Sequence, residues 1–202
     1  HRSQIEQGCL LTKTPFISLL DPLFKIFNDV LLTNPIKNTG GQHKLDQEYF
    51  SRIDALDYAM RHDDGQNIVS MNDADIILVG VSRTSKTPTC FYLANRGLKA
   101  ANIPLVSGCE LPMDLTALRQ TLVIGLTRSA DQLVDIRRNR LNQIGQKHET
   151  NYVKPEIVDE EVREARRLFS KNKWAVLDVS RRSIEETAAA VLQLYANYKS
   201  TP

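Results

Sequence analysis

The chain has 202 residues, of which 42% are hydrophobic and 25% charged, an ordinary globular composition that excludes a disordered or collagen-like chain. Its 26 Lys and Arg residues nearly balance 24 Asp and Glu residues, so the net charge of +2 gives no support for nucleic-acid or membrane-surface binding. A chain of this length buries roughly 70% of its unfolded surface and needs no disulfide or metal to fold. The longest apolar runs, such as residues 76–81, are far shorter than the roughly 20 residues that span a bilayer.

The cysteines indicate the cellular compartment. Cys9, Cys90 and Cys109 form no Cys-x-x-Cys pair and have no His at metal-ligand spacing. Their odd number disfavours a disulfide framework and indicates a reducing compartment, so we predict a cytoplasmic protein. The chain starts at His1, without an initiator Met or a signal region, and is expected to be a fragment of a longer protein.

The first third of the chain is predicted to be mostly helical. Asp21 and Pro22 form an N-cap followed by proline at the first helical position, and apolar residues then recur at helical spacing. The segment 33–41 contains Pro and Gly and breaks that pattern. Asp46 is predicted to cap a second helix, which stops at Gly65 in a C-cap position. The apolar residues of this second helix are Tyr49, Phe50, Ile53, Leu56 and Met60.

The rest of the chain alternates short apolar strands with amphipathic helices. Strands are predicted at 76–79, 103–106, 122–126 and 175–179. Helices are predicted at roughly 86–99, 130–144, 155–170 and 183–199. Two helices open with capping boxes, Ser129 with Gln132 and Ser183 with Glu186. The alternation predicts an α/β fold with a parallel sheet flanked by helices in 67–202, preceded by a mostly helical N-terminal region in 1–66.

The most informative segment is the loop 80–87, which follows an apolar strand and leads into a helix. Its residues are Gly80, Val81, Ser82, Arg83, Thr84, Ser85, Lys86 and Thr87. In a P-loop, backbone N–H groups and the helix N-terminus attract phosphate oxygens, Lys adds a point charge, and a Thr hydroxyl ligates Mg²⁺. The context therefore predicts a P-loop NTPase-like domain, with Lys86 on the phosphates and Thr87 as a metal ligand. The alternative is a polar strand-to-helix turn.

One position of this loop departs from the usual pattern. Ser85 stands where a P-loop has its second glycine. A backbone that needs a positive φ there would disfavour serine.

Two acidic residues precede the strand that feeds the loop. Asp63 and Asp64 are close enough in sequence to fold back towards bound phosphates. A carboxylate there could take the proton of a hydroxyl nucleophile or hold Mg²⁺ through water. The alternative is a solvated helix end, although two acids at a helix C-terminus oppose the helix dipole.

Further charged residues are secondary candidates. Arg137 and Arg140 share a helix face, and arginine forks suit phosphate oxygens, so both could bind a second phosphate or a partner. The alternative is a solvated helix face. Asp178, at the end of a strand, and Arg181 could line the adenine side of a nucleotide site, by analogy with other kinases.

Several motifs occur together along almost the whole chain. They are Gly80 to Thr89, Tyr92-Leu93-Ala94, Ala101-Asn102-Ile103-Pro104, His62-Asp63-Asp64-Gly65, Ile124-Gly125-Leu126-Thr127, Asp178 to Glu186, His43-Lys44-Leu45-Asp46 and Tyr49-Phe50. In combination they resemble the kinase-pyrophosphorylase family of bacteria and plastids. That family shares the Ser85 departure, and its members regulate pyruvate, phosphate dikinase or phosphoenolpyruvate synthase. Family members also begin with an additional N-terminal segment, so the resemblance implies that residues 1–202 are a piece of a longer protein.

The resemblance implies a bifunctional regulator in the bacterial cytoplasm. As an ADP-dependent Ser/Thr kinase, it would phosphorylate a threonine of pyruvate, phosphate dikinase. As a pyrophosphorylase, it would use inorganic phosphate to remove that phosphoryl group and release pyrophosphate. Lys86 would neutralise charge, Thr87 and Mg²⁺ would bridge oxygens, and Asp63 or Asp64 would handle the hydroxyl proton. From the charge balance we expect no nucleic-acid or membrane partner.

Three alternatives remain open at this point. The same chemistry could act on phosphoenolpyruvate synthase. The loop could belong to a small-molecule or nucleotide kinase that uses ATP. The chain could also be a non-catalytic nucleotide-binding fragment.

Overall fold

The computed structural model describes residues 2–18, 21–31, 47–118, 120–145 and 150–200. By its internal contacts the chain divides into two compact units, residues 1–44 and 45–202. In the first unit the described residues form helices α1 (Arg2–Leu11) and α2 (Asp21–Leu31). The second of these begins at Asp21, one residue before the predicted first helical position at Pro22. The breaker segment 33–41 and the Asp46 cap lie outside the described residues.

The second unit is built on a four-stranded parallel sheet with the strand order β2-β1-β3-β4. The strands are β1 (Ile76–Gly80), β2 (Ala100–Pro104), β3 (Leu122–Thr127) and β4 (Ala175–Asp178). The helices are α3 (Gln47–Arg61), α4 (Lys86–Ala94), α5 (Ala130–Gln143), α6 (Pro155–Lys171) and α7 (Ile184–Ser200). This arrangement confirms the predicted P-loop-like α/β fold.

Helices cover the sheet on both faces, so β1 is buried along its whole length. Ile77 and Val79 pack with apolar residues of α5 and α6, whereas Ile76 and Leu78 pack with those of α4 and α7. Successive strand residues point to opposite faces, so a strand buried on both sides must be apolar throughout. No helix in the described part of the chain is both long and apolar enough to cross a membrane.

The β2 strand starts three residues before its predicted position of 103–106. It begins at Ala100, and α4 correspondingly ends at Ala94 rather than at residue 99. Ala100 and Ala101 are fully buried and pair with Ile76 and Ile77 of β1. Alanine favours helices and is depleted in strands, so local propensity left these residues outside the predicted strand, and pairing with β1 decided their conformation.

The helix α3 packs on α4 and β2 within the second unit. Its buried residues are Ala55, Tyr58 and Ala59, and the two alanines form a small core with Ala94. Most of the apolar residues that the sequence placed on this helix are instead exposed, namely Tyr49, Phe50, Ile53 and Met60. The division between residues 66 and 67 remains a prediction.

One of the two predicted capping boxes forms. The Ser183 N–H donates to Glu186 Oε2 at 2.8 Å, and the Glu186 N–H donates to Ser183 Oγ at 3.1 Å. The box at Ser129 was wrong, since its side chain makes no capping hydrogen bond. The Ser129 N–H donates instead to Ser180 Oγ at 2.9 Å, so a loop distant in sequence takes the place that Gln132 would have filled.

The contact between β3 and α6 leaves no room for a side chain at Gly125. A Cβ added to Gly125 would lie 2.5 Å from Cδ2 of Phe169, which is fully buried. We expect Gly125→Ala to lower the free energy of unfolding by about 1–3 kcal/mol through overpacking, as measured by urea denaturation. Combining it with Phe169→Leu should cost less than the sum of the two single changes. Strictly additive costs would contradict the steric explanation.

Candidate functional site

The loop 80–87 connects the end of β1 to the start of α4 at the carboxyl edge of the sheet. Gly80 is packed so closely that a Cβ would lie 2.5 Å from the carbonyl oxygen of Leu126 on β3. Thr84 closes the turn, because its Oγ1 donates to the Val81 carbonyl oxygen at 3.0 Å. The loop is therefore seated directly on the sheet, at the edge where open α/β folds bind ligands.

Two loop residues adopt a backbone conformation that normally favours glycine. Arg83 has a φ of +74° and Ser85 a φ of +61°. Each such residue costs on the order of 1–3 kcal/mol, and residues of this kind cluster where ligands bind. Ser85 thus takes the positive φ that the sequence made doubtful for a serine.

Lys86 is the buried cation of the loop. It is only 6% exposed, and its Nζ donates to the Val81 carbonyl oxygen at 3.0 Å. Burial lowers the Lys86 pKa to about 8, although the nearby carboxylates of Asp64 and Asp63 act in the opposite direction. A desolvated ammonium with so little compensation gains from an anionic ligand.

A cluster of polar side chains joins three segments of the chain behind the loop. Thr87 Oγ1 donates to Asp63 Oδ1 at 2.9 Å, and Asn102 Nδ2 donates to the same carboxylate oxygen. Asn102 Oδ1 in turn accepts the Asp64 N–H at 3.3 Å, which supports the positive φ of +51° at Asp64. These bonds hold Asp63 against the first turn of α4 and leave Asp64 lining the open side of the site.

A cleft of about 410 Å³ opens above the loop. Asp64 lines it on the side of β2, and Arg128, which directly follows β3, lines the opposite side. Ser85, Lys86 and Thr87 form part of the wall between them. The cleft therefore has an acidic side, a cationic side and residues of the loop 80–87 in the middle.

Arg137 supports the loop from within the protein. Its side chain is 1% exposed, and its amino groups donate to the carbonyl oxygens of Tyr152 (3.1 Å) and Ser82 (3.4 Å) and to Glu161 Oε2 (2.7 Å). The guanidinium carbon lies 4.6 Å from the centroid of the Tyr152 ring. The Tyr152 hydroxyl is in turn 3.1 Å from Ser82 Oγ. Arg137 and Tyr152 thus fix the position of the loop backbone at Ser82.

The oxygen atoms on the acidic side fit a Mg²⁺ ion that is shared with a substrate. Asp63, Asp64 and Thr87 supply carboxylate and hydroxyl oxygens, which are the hard ligands that Mg²⁺ prefers. No group of three or more His, Cys, Asp or Glu residues in the described ranges could hold a metal by itself. Mg²⁺ commonly takes one or two protein oxygens and completes its coordination with phosphate oxygens and water, so the donor set suits that mode.

Comparison with known proteins identifies the family. A family model described as kinase/pyrophosphorylase matches residues 1–192. The chain belongs to the kinase/pyrophosphorylase family. It is 50% identical over 193 residues to a protein of Caulobacter vibrioides and 50% identical over 197 residues to one of Paramagnetospirillum magneticum. It is also 47% identical over 196 residues to a protein of Bradyrhizobium sp. strain ORS 278. All three relatives carry the provisional name of pyruvate, phosphate dikinase regulatory protein.

The chain is shorter than these family members. The matches cover 96%, 98% and 96% of this chain. They cover 61%, 63% and 70% of the three relatives. The chain therefore spans less than two thirds of the first two relatives.

Most of the predicted site residues lie together around the cleft, whereas the secondary candidates do not line it. The loop 80–87, Asp63 and Asp64 form one site. Arg137 and Arg140 differ in environment, since Arg137 is buried beneath the loop and Arg140 is exposed and outside the cleft lining. Their binding of a second phosphate remains a prediction.

The last strand places its two candidates at the surface. The Asp178 carboxylate accepts the Ser180 N–H at 2.8 Å and lies 3.9 Å from an amino group of Arg166. Arg181 is exposed in the loop that follows. Contact of Asp178 and Arg181 with an adenine base remains a prediction.

Two residues of the site escaped the sequence analysis. Asn102 was quoted only inside a family motif, although a buried amide within the apolar strand β2 is a signal in itself. Arg128 follows the carboxyl end of β3, where ligand-binding residues of parallel sheets lie. Its significance depends on β3 being the neighbour of β1, which the sequence does not reveal.

The pKa of Lys86 predicts a pH dependence of phosphate binding. Because this pKa is about 8, the affinity for ADP should fall as the pH rises above 8, by at most about tenfold per pH unit. Calorimetric titration between about pH 7 and 9.5 measures this slope. Lys86→Arg keeps its charge throughout that range and should give a flat profile. A wild-type affinity that is equally flat would show that Lys86 does not bind the phosphates.

The contacts of Arg137 predict a structural role. Arg137→Met removes one partner of a buried ion pair with Glu161, so we expect the free energy of unfolding to fall by about 3 kcal/mol. Denaturant unfolding measures the loss. The exposed Arg140 offers a matched control, and Arg140→Ala should change stability by less than about 0.5 kcal/mol. Equal effects of the two substitutions would contradict the support role of Arg137.

Proposed function

We propose that the cleft binds ADP and transfers its β-phosphoryl group to a threonine of a partner protein. The observation that carries the proposal is the junction of a P-loop-like turn with two aspartates. In this junction a buried Lys86 lies beside a Thr87 hydroxyl that is bonded to Asp63. Phosphoryl transfer needs little more than this combination of positioning and charge stabilisation.

We further propose that the partner is pyruvate, phosphate dikinase. The names of the relatives support this target, while the resemblance leaves phosphoenolpyruvate synthase as the alternative. The choice of ADP as donor rests on the resemblance to the family. Action in the cytoplasm remains a prediction based on the cysteines.

In the kinase direction, the threonine oxygen attacks the β-phosphorus of ADP, the bond to the bridging oxygen breaks, and AMP leaves. Asp64 is the better base for the hydroxyl proton, because Asp63 Oδ1 already accepts hydrogen bonds from Thr87 and Asn102. Lys86 neutralises charge on the transferred group. A bound Mg²⁺ would supply further charge neutralisation, and Thr87 and Asp63 are the residues that would hold it.

In the opposite direction, an oxygen of inorganic phosphate attacks the phosphothreonine, and the bond between phosphorus and the threonine oxygen breaks. Pyrophosphate leaves, and the proton of the hydrogen phosphate ion ends on the threonine oxygen. Both directions place two phosphorus atoms above the same loop. A single loop that binds a diphosphate can therefore serve both directions of the reaction.

A single labelling experiment tests the function and its alternatives. The chain is incubated with ADP labelled in the β-phosphate or ATP labelled in the γ-phosphate, with and without each of the two candidate partners. Label that passes from ADP to a threonine of the dikinase supports the proposal. Label from ATP on small molecules would support a nucleotide or metabolite kinase instead. Nucleotide binding without transfer to either partner would support a non-catalytic module.

The two aspartates should differ when each is replaced. Asp64→Asn should bind ADP normally and lose phosphate transfer by roughly 10²–10⁴-fold, which is the usual contribution of a positioned base. Asp63→Asn should mainly raise the Mg²⁺ concentration needed for ADP binding, since a neutral amide oxygen is a weaker Mg²⁺ ligand than the carboxylate that lies beside Thr87. Rates of labelling and calorimetry with ADP separate the two effects.

Asp54 provides the matched control, because it is an exposed aspartate on α3. Asp54→Asn should change neither ADP binding nor transfer. Wild-type transfer rates in Asp64→Asn would exclude this carboxylate as the base.

A further inference from the structure

Among the described residues, two arginines line the cleft, Arg83 and Arg128. Arg83 is exposed, whereas the side chain of Arg128 is partly buried and has a donor without a partner. One amino group donates to Ser85 Oγ at 3.3 Å, and the buried Nε has no hydrogen-bond partner. A guanidinium carries five N–H donors, so most of its capacity is available to a ligand. A buried donor without an acceptor is costly and calls for an explanation, and an anionic ligand in the cleft that Arg128 lines would supply one.

The neighbouring arginines are already engaged with protein acceptors. Arg137 donates to two carbonyl oxygens and a carboxylate, and although its Nε is also buried without a partner, Arg137 does not line the cleft. Arg166 donates from Nε to Thr127 Oγ1 at 3.2 Å, and its amino group lies 3.9 Å from Asp178. Burial lowers the pKa of the Arg128 guanidinium, and Asp178 offsets this effect only in part. Arg128 is therefore a partly desolvated cation that faces the cleft with little compensation.

The sheet order places Arg128 and Asp64 on opposite sides of the phosphate loop. The Asp64 N–H donates a hydrogen bond to Asn102 Oδ1 on β2, and Arg128 directly follows β3. The strand β1 lies between β2 and β3. Adjacent strands are about 4.8 Å apart, so the two sides of the cleft are separated by roughly 10 Å. That distance accommodates an attacking oxygen, a transferred phosphoryl group and a second phosphate in line.

We propose that Arg128 binds the phosphate that leaves as AMP in the kinase direction and enters as inorganic phosphate in the reverse direction. The inference rests on the proposed function. An in-line displacement puts the nucleophile and the leaving group on opposite sides of the transferred phosphorus. With the threonine oxygen beside Asp64, the other phosphate lies on the side of Arg128.

The two directions use this contact differently. ADP is also held by the loop and by Lys86 through its β-phosphate, and its nucleoside offers further contacts. Inorganic phosphate has no such additional contacts, so it depends more on Arg128. The reverse step also brings two anions together, hydrogen phosphate and phosphothreonine, and a cation beside the attacking anion reduces their repulsion.

The test compares Arg128→Gln with the wild-type chain in both directions. Pyrophosphate release from phosphorylated dikinase is measured across a phosphate titration, and labelling of the dikinase is measured across an ADP titration. We expect Arg128→Gln to raise the KM for inorganic phosphate by about tenfold or more, and the KM for ADP by clearly less. Arg128→Lys should lie between the wild type and Arg128→Gln, because it keeps the charge and loses the fork.

Binding measurements make the test independent of turnover. Calorimetry with AMP should show weaker binding to Arg128→Gln than to the wild type, again by about tenfold. Arg138→Gln is the matched control, because Arg138 is exposed on α5 and does not line the cleft. Unfolding midpoints of all variants verify that each is folded.

Several outcomes overturn the inference. Equal losses for ADP and inorganic phosphate in Arg128→Gln would mean that Arg128 supports the loop through Ser85. Unchanged affinity for AMP and an unchanged KM for phosphate would mean that it binds neither. A wild-type chain that binds AMP but transfers no phosphate would refute the proposed function, and AMP binding by Arg128→Gln would still decide whether Arg128 is a phosphate ligand.

Discussion

The site depends on the hydrogen bonds of a single carboxylate. Asp63 accepts from Thr87 on α4 and from Asn102 on β2, so it links the turn after α3 to the helix that follows the loop 80–87 and to a neighbouring strand. Both donors are side chains that β1 and its neighbours bring together from distant parts of the sequence. Without this carboxylate, Thr87 would lose its orientation, and Asp64 would lose the support that Asn102 gives to its backbone.

The loop itself combines several features that are unfavourable in the free protein. Arg83 and Ser85 have positive φ angles, and burial lowers the pKa of Lys86 to about 8. Each feature costs stability when no ligand is bound. A bound diphosphate would offset these costs, since its oxygens accept from loop N–H groups and neutralise the ammonium. The buried β1 strand and the contacts of Arg137 stabilise the surrounding fold, and this stability compensates for the unfavourable loop conformation.

The cleft is chemically asymmetric, and the strand order is the reason. The carboxylate of Asp64 lines the cleft on the side of β2, whereas Arg128 lines it on the side of β3. A hydroxyl nucleophile needs a base, and a phosphate nucleophile needs a cation, so the two sides suit the two directions of the transfer that we propose.

Local patterns in the sequence predicted the elements that depend on neighbouring residues. The apolar run of β1, the loop 80–87 and the capping box at Ser183 all follow from short-range chemistry, and the structure contains each of them. The same reasoning correctly selected Asp63 and Asp64 as neighbours of the loop, because few residues separate them from β1.

Only the tertiary structure decided the remaining features. Pairing with β1 turned Ala100 and Ala101 into a strand, and Ser180 displaced the expected cap at Ser129. Arg137 and Arg140 look equivalent on a helix, yet packing buries the first and exposes the second. Arg128 lines the cleft only because β3 lies beside β1. Each outcome depends on contacts between residues far apart in the chain, and the periodicity and propensity of a local segment contain no information about such contacts.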